Sequence, residues 1–382
     1  MVRALYSALI LAGALPHRAA AQFDQVDAIV RDGVRRGVYP GAAVVVGNSG
    51  GALFARGYGH FTWNTRSPVP TPDSTLWDIA SLTKVVATTA AVALLVDQRK
   101  LVLDAPVVRY LPRFTGGERP RVTVRMLLDH TSGLPAGLPP TQRRVAPDSL
   151  VAIIYRTPLR RTPGTAEQYS DLNAILLGLI IEQVAGRPLD RFVAEAVFAP
   201  LGMTSTRFLP PPALRPRIAP TAQWRGIPLA GEVHDRTAGW LGGVAGHAGV
   251  FATASDLGRY AHWWLRRGVP LVRPATVDTF ILTGSAPRAR LLGWESRATR
   301  EYTPSPYGIL LSAQAYGHTG YTGTMIMIDP GRDLYLIFLT NRAFGPRVAK
   351  PFAALHQIRA RLVDAAVRAV PGACKAEIRP IC

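Results

Sequence analysis

The chain's apolar positions change period along its length. In FDQVDAIVRDGVRRG, Phe23, Val26, Ile29, Val30 and Val34 recur at helical spacing and predict a helix. Two strand-like runs follow, GAAVVVGNSG and GALFARGYGHF, joined by Asn48-Ser49-Gly50-Gly51, which reads as a hairpin turn. A polar, proline-rich stretch then leads into DIASLTKVVATTAAVALLVDQRK, where a helix is expected from Ser81. From about 85 to 240, helical patterns alternate with Pro/Gly loops. LNAILLGLIIEQVAG is the clearest helix, closed by Gly186. Near the end, TGTMIMID and DLYLIFLTN predict two strands around a Pro330-Gly331 turn, and RVAKPFAALHQIRARLVDAAVRAV predicts a last helix. There is no internal repeat. Strands at both ends and helices between them predict an α/β (α+β) chain, with one sheet lobe and a helical insertion.

The first stretch, MVRALYSALILAGALPHRAAAQ, is different in kind. Arg3 gives a basic start, Ala4–Leu15 an apolar segment too short to span a bilayer comfortably, and Ala19-Ala20-Ala21 a small-residue cleavage site before Gln22. Residues 1–21 are therefore read as a signal peptide and the protein as secreted or periplasmic. A retained anchor helix is the alternative. Export suits the cysteines: the only two, Cys374 and Cys382, could close a small loop in an oxidising compartment. They cannot form a zinc site, and no metal-ligand cluster stands elsewhere in the sequence.

Charge adds one question. The formal net charge is +19, and 40 of the 44 basic residues are arginine. The arginines are scattered, without an aromatic-interleaved basic run, so a nucleic-acid partner is not expected. A basic exported protein instead fits an anionic cell-envelope polymer, or simply an arginine-rich proteome. Only four lysines remain, and one of them, Lys84, lies one helical turn after Ser81. Residues three apart share a helix face. A lysine can lose its proton in a desolvated site, which arginine cannot, and could then deprotonate the serine. A helix N-terminus at Ser81 would also favour negative charge developing on its oxygen. By itself Ser-x-x-Lys is a short pattern that arises often by chance.

More of the pattern follows in order. EQYSDLN places Tyr169 just before a helix, and YGHTGYTGT places His318-Thr319-Gly320 on a predicted strand. With TVRMLLDHTSGLP, TPGTAEQYSD, PLGMTST and GHAGVFATASDL, this series resembles the class C β-lactamase and DD-peptidase superfamily, a β-lactamase-related, penicillin-binding-protein-like group of serine hydrolases, over about residues 25–345. The resemblance implies Ser81 as nucleophile, Lys84 as its partner base and Tyr169 as the group relaying the proton to the leaving group. It implies an oxyanion hole from the N–H groups of Ser81 and Tyr321. Substrate-binding roles fall to Asp171, His318, Thr319 and Gly320, with Gly320 admitting the substrate backbone. Asp171 stands where the family has Asn. It could hold Lys84 charged and shift base duty to Tyr169, or merely cap the helix; Asn173 faces elsewhere. His318 stands where many relatives carry Lys. An ordinary histidine titrates near ~6.5, so its charge, and with it the preference for carboxylate-bearing substrates over esters, is expected to vary with pH. His130 reads as a buried structural residue. His234-Asp235 and His247 resemble a subgroup with muramyl-peptide amidases, and either edge the site or brace loops. Trp263-Trp264 reads as core.

The fold this implies is β-lactamase/transpeptidase-like: a central antiparallel sheet flanked by helices, plus a helical lobe. The expected organisation is a signal peptide at 1–21, a catalytic domain at 22–373 and a tail at 374–382. Within the domain the sheet lobe covers about 22–75 and 244–370, and the helical lobe about 76–243. The expected activity is an exported monomeric hydrolase forming an acyl-enzyme on Ser81, without metal or organic cofactor. Its substrate would be a small molecule or peptide, best matched to a peptidoglycan peptide or muropeptide. The alternatives are a carboxylesterase or weak β-lactamase, and a non-turnover β-lactam or muropeptide sensor.

Overall fold

The structure, a computed structural model, describes residues 22–139, 144–282, 290–297 and 304–382. The expected signal peptide lies outside the described residues. Eleven strands occur among them: β1 (Gly41–Asn48), β2 (Gly51–Gly59), β3 (Trp77–Asp78), β4 (Arg207–Phe208), β5 (Ala222–Trp224), β6 (Ile227–Leu229), β7 (Val250–Ala252), β8 (Glu295–Ser296), β9 (Tyr316–Thr319), β10 (Met325–Asp329) and β11 (Leu334–Thr340). Six form an antiparallel sheet in the order β2-β1-β11-β10-β9-β8. The first strand in the chain thus lies beside the last, as Ala42 pairing with Thr340 and Gly47 with Tyr335 show.

β1 is buried on both faces, which is why it reads as an unbroken apolar run. Its alternate residues serve two cores. Val44 and Val46 face helices α1 (Asp24–Arg35) and, at the other end of the chain, Pro351–Ala369, through Val26, Ile29, Val30, Leu355, Ile358 and Leu362. Ala43 and Val45 face the opposite way, onto helix Ala254–Leu265 and the helical lobe. In that core Trp264 packs edge-on against Trp263 and Trp294, so the tryptophan pair is core, as its sequence pattern implied.

The remaining helices are α2 (Ala90–Asp97), α3 (Val124–Leu128), α4 (Pro147–Arg156), α5 (Asp171–Ala185), α6 (Leu189–Val193) and α7 (Arg236–Trp240), then α8 (Ala254–Leu265), α9 (Pro274–Ile281) and α10 (Pro351–Ala369). Helix α5 is apolar almost all round because it is the buried axis of the helical lobe, and Gly186 ends it in the left-handed region. The last helix starts at Pro351, later than its apolar pattern. Proline has no N–H and drives Lys350 out of helical geometry, so RVAK stays outside.

Cys374 and Cys382 are joined in a disulfide. The loop is clasped by buried Arg332, which donates to Ala373 O at 2.6 Å and to Pro380 O. Closing a loop this short stabilises by roughly 2–3 kcal/mol in the chain-entropy model. Cys382→Ser should therefore lower the thermal midpoint by a few degrees and leave turnover unchanged, because the clasp lies on the β10–β11 turn. Calorimetry with parallel activity assays measures both.

Candidate active site

Ser81 sits just after β3, at a turn made tight by Ala80, whose φ of 48° lies in the left-handed region. A non-glycine residue there is strained and needs outside support. Asp78 supplies it. One carboxylate oxygen accepts the Ala80 N–H at 2.8 Å and the other accepts the His234 N–H at 2.7 Å. Burial pushes the Asp78 carboxyl up to about 6 despite those two donors.

After Ser81 the chain enters a π-helical segment, Lys84–Thr89, that runs on into α2. Such wide turns occur often at functional sites. Here it faces Lys84 inward, only 4% exposed. Its ammonium lies 3.0 Å from Ser81 Oγ, 3.3 Å from His247 O and 2.7 Å from Asp171 Oδ1. Burial alone would pull the lysine pKa down, but Asp171 and Tyr169 outweigh it and hold Lys84 above its ordinary value. Asp171 opens α5, and its carboxylate goes to Lys84. Of the two readings open for Asp171, the ion pair is the one formed. The carboxylate expected to contact substrate is engaged with Lys84.

Tyr169 stands beside Ser81 and Lys84, with the ammonium 4.9 Å from its ring centroid. Burial raises the phenol pKa, while Lys84 opposes the rise. Behind it lies His130, 4.8 Å away ring to ring. The His130 Nδ1 accepts from Ser170 N–H and faces Asn173 Nδ2, both at 3.1 Å. Burial, with Arg290 and Lys84 nearby, holds His130 neutral. It braces Tyr169, and Asn173 belongs to the same buried brace.

His318 lies on β9 and is 1% exposed. Its Nδ1–H donates to Thr319 O at 2.8 Å, and its Nε2 has no hydrogen-bond partner among the described residues. Burial drops its pKa to about 4, with Glu295 resisting and Arg290 and Lys84 assisting. The expectation of an ordinary histidine titrating near neutrality is therefore corrected: it came from the sequence without burial. Positive charge at this wall comes from Arg290, which sequence reasoning missed. Arg290 bonds Glu295 at 2.9 Å and Glu167 at 3.3 Å, and lies 5.0 Å from the Tyr169 ring centroid. No motif spacing marks it among 40 arginines.

The loop after β9 closes the site. Gly320 is required, but by a neighbour different from the one expected: a Cβ there would lie 2.6 Å from Ile79 O. The Thr322 hydroxyl donates to Asp78 O at 2.8 Å and the Thr324 hydroxyl to Ile79 O at 3.0 Å, stitching this loop to the serine turn. Neither Ser81 N–H nor Tyr321 N–H donates to a backbone carbonyl among the described residues. At the rim, the His234 ring stacks on Tyr321 at 5.4 Å, and Asp235 both caps α7 and accepts from His247 at 2.9 Å. These residues brace loops, and His247 also presents its carbonyl to Lys84.

Comparison with known proteins gives the family. The family described as Beta-lactamase matches residues 26–359. The chain belongs to the β-lactamase family. It is a serine hydrolase of the β-lactamase and penicillin-binding-protein group. A relative from Escherichia coli (strain K12), named "Putative D-alanyl-D-alanine carboxypeptidase", is 34% identical over 317 residues, covering 74% of this chain and 73% of that one. Two solved structures share the fold. "EstCE1, a hydrolase with promiscuous acyltransferase activity" has a TM-score of 0.74 at 21% identity, covering 92% of this chain and 99% of that chain. A class C β-lactamase has a TM-score of 0.72 at 20% identity, covering 92% and 98%. Of the two positions at which the sequence departs from the pattern the resemblance implied, Asp171 pairs with Lys84 and His318 is buried and neutral.

A neutral His318 has a kinetic consequence. It gains charge only as pH falls toward about 4. The ratio of kcat/KM for a penicillin to that for an uncharged ester should stay flat between pH 5.5 and 8.5, and His318→Lys should raise it throughout. A wild-type ratio that climbs as pH drops through the mid-sixes would mean that His318 titrates near its ordinary value.

Proposed function

We propose that this protein is an exported serine hydrolase that forms an acyl-enzyme on Ser81 and cleaves the C-terminal amide of peptidoglycan-type peptides. One observation carries the chemistry: the Lys84 ammonium donates to Ser81 Oγ while Asp171 holds that ammonium charged. A hydroxyl that accepts from Lys84 must direct its own hydrogen elsewhere, and Tyr169 is the neighbouring side chain that can take it.

The acylation step then runs as a relay. Ser81 Oγ attacks the carbonyl carbon, its proton passes to Tyr169 Oη, and the Tyr169 proton passes to the departing amine. The C–N bond breaks and the acyl group stays on Ser81. Tyr169 ends as it began, a protonated phenol, which suits its raised pKa. Lys84 and Arg290, 4.9 Å and 5.0 Å from the ring centroid, stabilise phenolate character as the protons move. The N–H groups of Ser81 and Tyr321 receive the oxyanion, an interaction of about 3 kcal/mol per donor. Deacylation reverses the relay with water in place of the amine.

The peptide substrate is supported by the carboxypeptidase names of relatives that cover most of this chain. A second reading, a carboxylesterase, is favoured by the neutral, buried His318, which offers no charge to a substrate carboxylate.

Intact-mass spectrometry over time with a penicillin, a short-chain ester and a D-Ala-D-Ala peptide separates these readings. Each acylating substrate should add its acyl mass to Ser81. Turnover of the peptide supports the carboxypeptidase, fast turnover of the ester alone supports the esterase, and a permanent adduct indicates a sensor. Ser81→Ala should show no adduct, and Tyr169→Phe should lose about 100-fold or more in acylation rate. A full adduct on Ser81→Ala would remove the assignment.

A further inference from the structure

The loop that carries the second oxyanion donor, residues 320–324, has every carbonyl engaged. Gly320 N–H donates to Thr324 O at 2.8 Å and Gly323 N–H to Gly320 O at 3.1 Å, which closes the turn. Ala343 N–H holds Thr322 O at 3.3 Å, and the Thr340 hydroxyl holds Gly323 O at 3.1 Å. Two buried guanidinium groups complete the set. Arg342 Nη2 donates to Tyr321 O. Arg359, reaching in from α10 and only 1% exposed, uses Nη2 to bridge Thr324 O at 2.7 Å and Gly320 O at 3.4 Å.

The carbonyl of Gly320 and the N–H of Tyr321 belong to one peptide unit. In a trans peptide they point in opposite directions, so a donor held on the carbonyl fixes where the N–H points. A donor on the carbonyl also draws electron density through the amide and makes its N–H a stronger donor. A charged donor does this more strongly than a neutral one, and a buried one is little screened by water. At 3.4 Å the Arg359 contact is the longer arm of its bridge, so its effect on this peptide is mainly electrostatic.

We propose that Arg359 is a positioning residue of the oxyanion hole. From the side away from the reacting atoms, it aligns and polarises the Gly320–Tyr321 peptide so that Tyr321 N–H binds the developing oxyanion more tightly. The role rests on the Ser81 acyl-enzyme proposed above. It places part of the catalytic apparatus on the C-terminal helix, which contributes no side chain to the Ser81–Lys84–Tyr169 cluster.

The test reads the acyl group itself. Protein is acylated with a slowly released acyl group carrying a 13C-labelled carbonyl, and the carbonyl stretch is recorded by infrared difference spectroscopy. A strong oxyanion hole lowers that frequency. In Arg359→Met the band should move to higher wavenumber, and kcat/KM should fall about tenfold for ester and amide alike, less than loss of a whole donor. Arg359→Lys, which keeps the charge, should fall between, and it carries the test if Arg359→Met does not fold. An unchanged band in a folded Arg359 variant overturns the proposal. So does a lowered thermal midpoint without a band shift, because Arg359 would then only hold the turn. Wild-type protein that shows no acyl group on Ser81 instead overturns the functional reading on which the proposal stands.

Discussion

The site depends on one ion pair, Lys84 with Asp171, 2.7 Å apart, with the lysine side chain almost wholly buried. An ammonium taken out of water must be paired and hydrogen-bonded or it will lose its proton. Lys84 meets that demand with three acceptors, one for each N–H: Ser81 Oγ, His247 O and Asp171 Oδ1. The three come from different parts of the chain, the serine turn, the loop before β7 and the start of α5. The pair therefore locates Ser81, the proposed nucleophile, relative to both. A guanidinium has a planar fork and greater bulk, and would not reproduce a compact three-way contact. This is the physical reason for a lysine in a chain that otherwise prefers arginine.

Fixing the charge on Lys84 also divides the chemistry. In the proposed mechanism Lys84 orients the Ser81 oxygen and stabilises negative charge nearby, and Tyr169 moves the proton. The neighbouring wall follows the same economy of charge. His318 stays neutral because it is buried next to two cations, and Arg290 is admitted because Glu295 and Glu167 accompany it. The buried carboxylate of Asp78 is kept by two backbone donors, and through them it holds the strained Ala80 turn and the His234 loop together.

Much of this was legible in the sequence, and for identifiable reasons. The hairpin, α5 and the β10–β11 pair are local patterns of period and turn chemistry. The Ser81–Lys84 contact is a local pattern too, because three residues make one turn. Tyr169 and His318 were found only by their order relative to that motif. What stayed hidden depends on contacts between distant segments. Arg290 and Glu295 carry no spacing signal. The low pKa of His318 is a property of its burial. Gly320 reads as a glycine admitting a ligand, yet the backbone it admits is that of Ile79. The two readings of Asp171 could be separated only by seeing which atom its carboxylate meets.

Lysine scarcity makes the central claim measurable. With four lysines in the chain, protein labelled with 13C at lysine Cε gives four signals, and the one missing from Lys84→Met belongs to Lys84. Following that signal from pH 6 to 10 reads the protonation state of the buried amine directly. An ammonium held by Asp171 should show no titration in this range, and in Asp171→Asn, with the burial penalty no longer offset, the same signal should begin to titrate within it. A wild-type Lys84 signal that titrates near neutral pH would show a free amine at rest, make Lys84 the base for Ser81, and contradict the division of labour proposed between Lys84 and Tyr169.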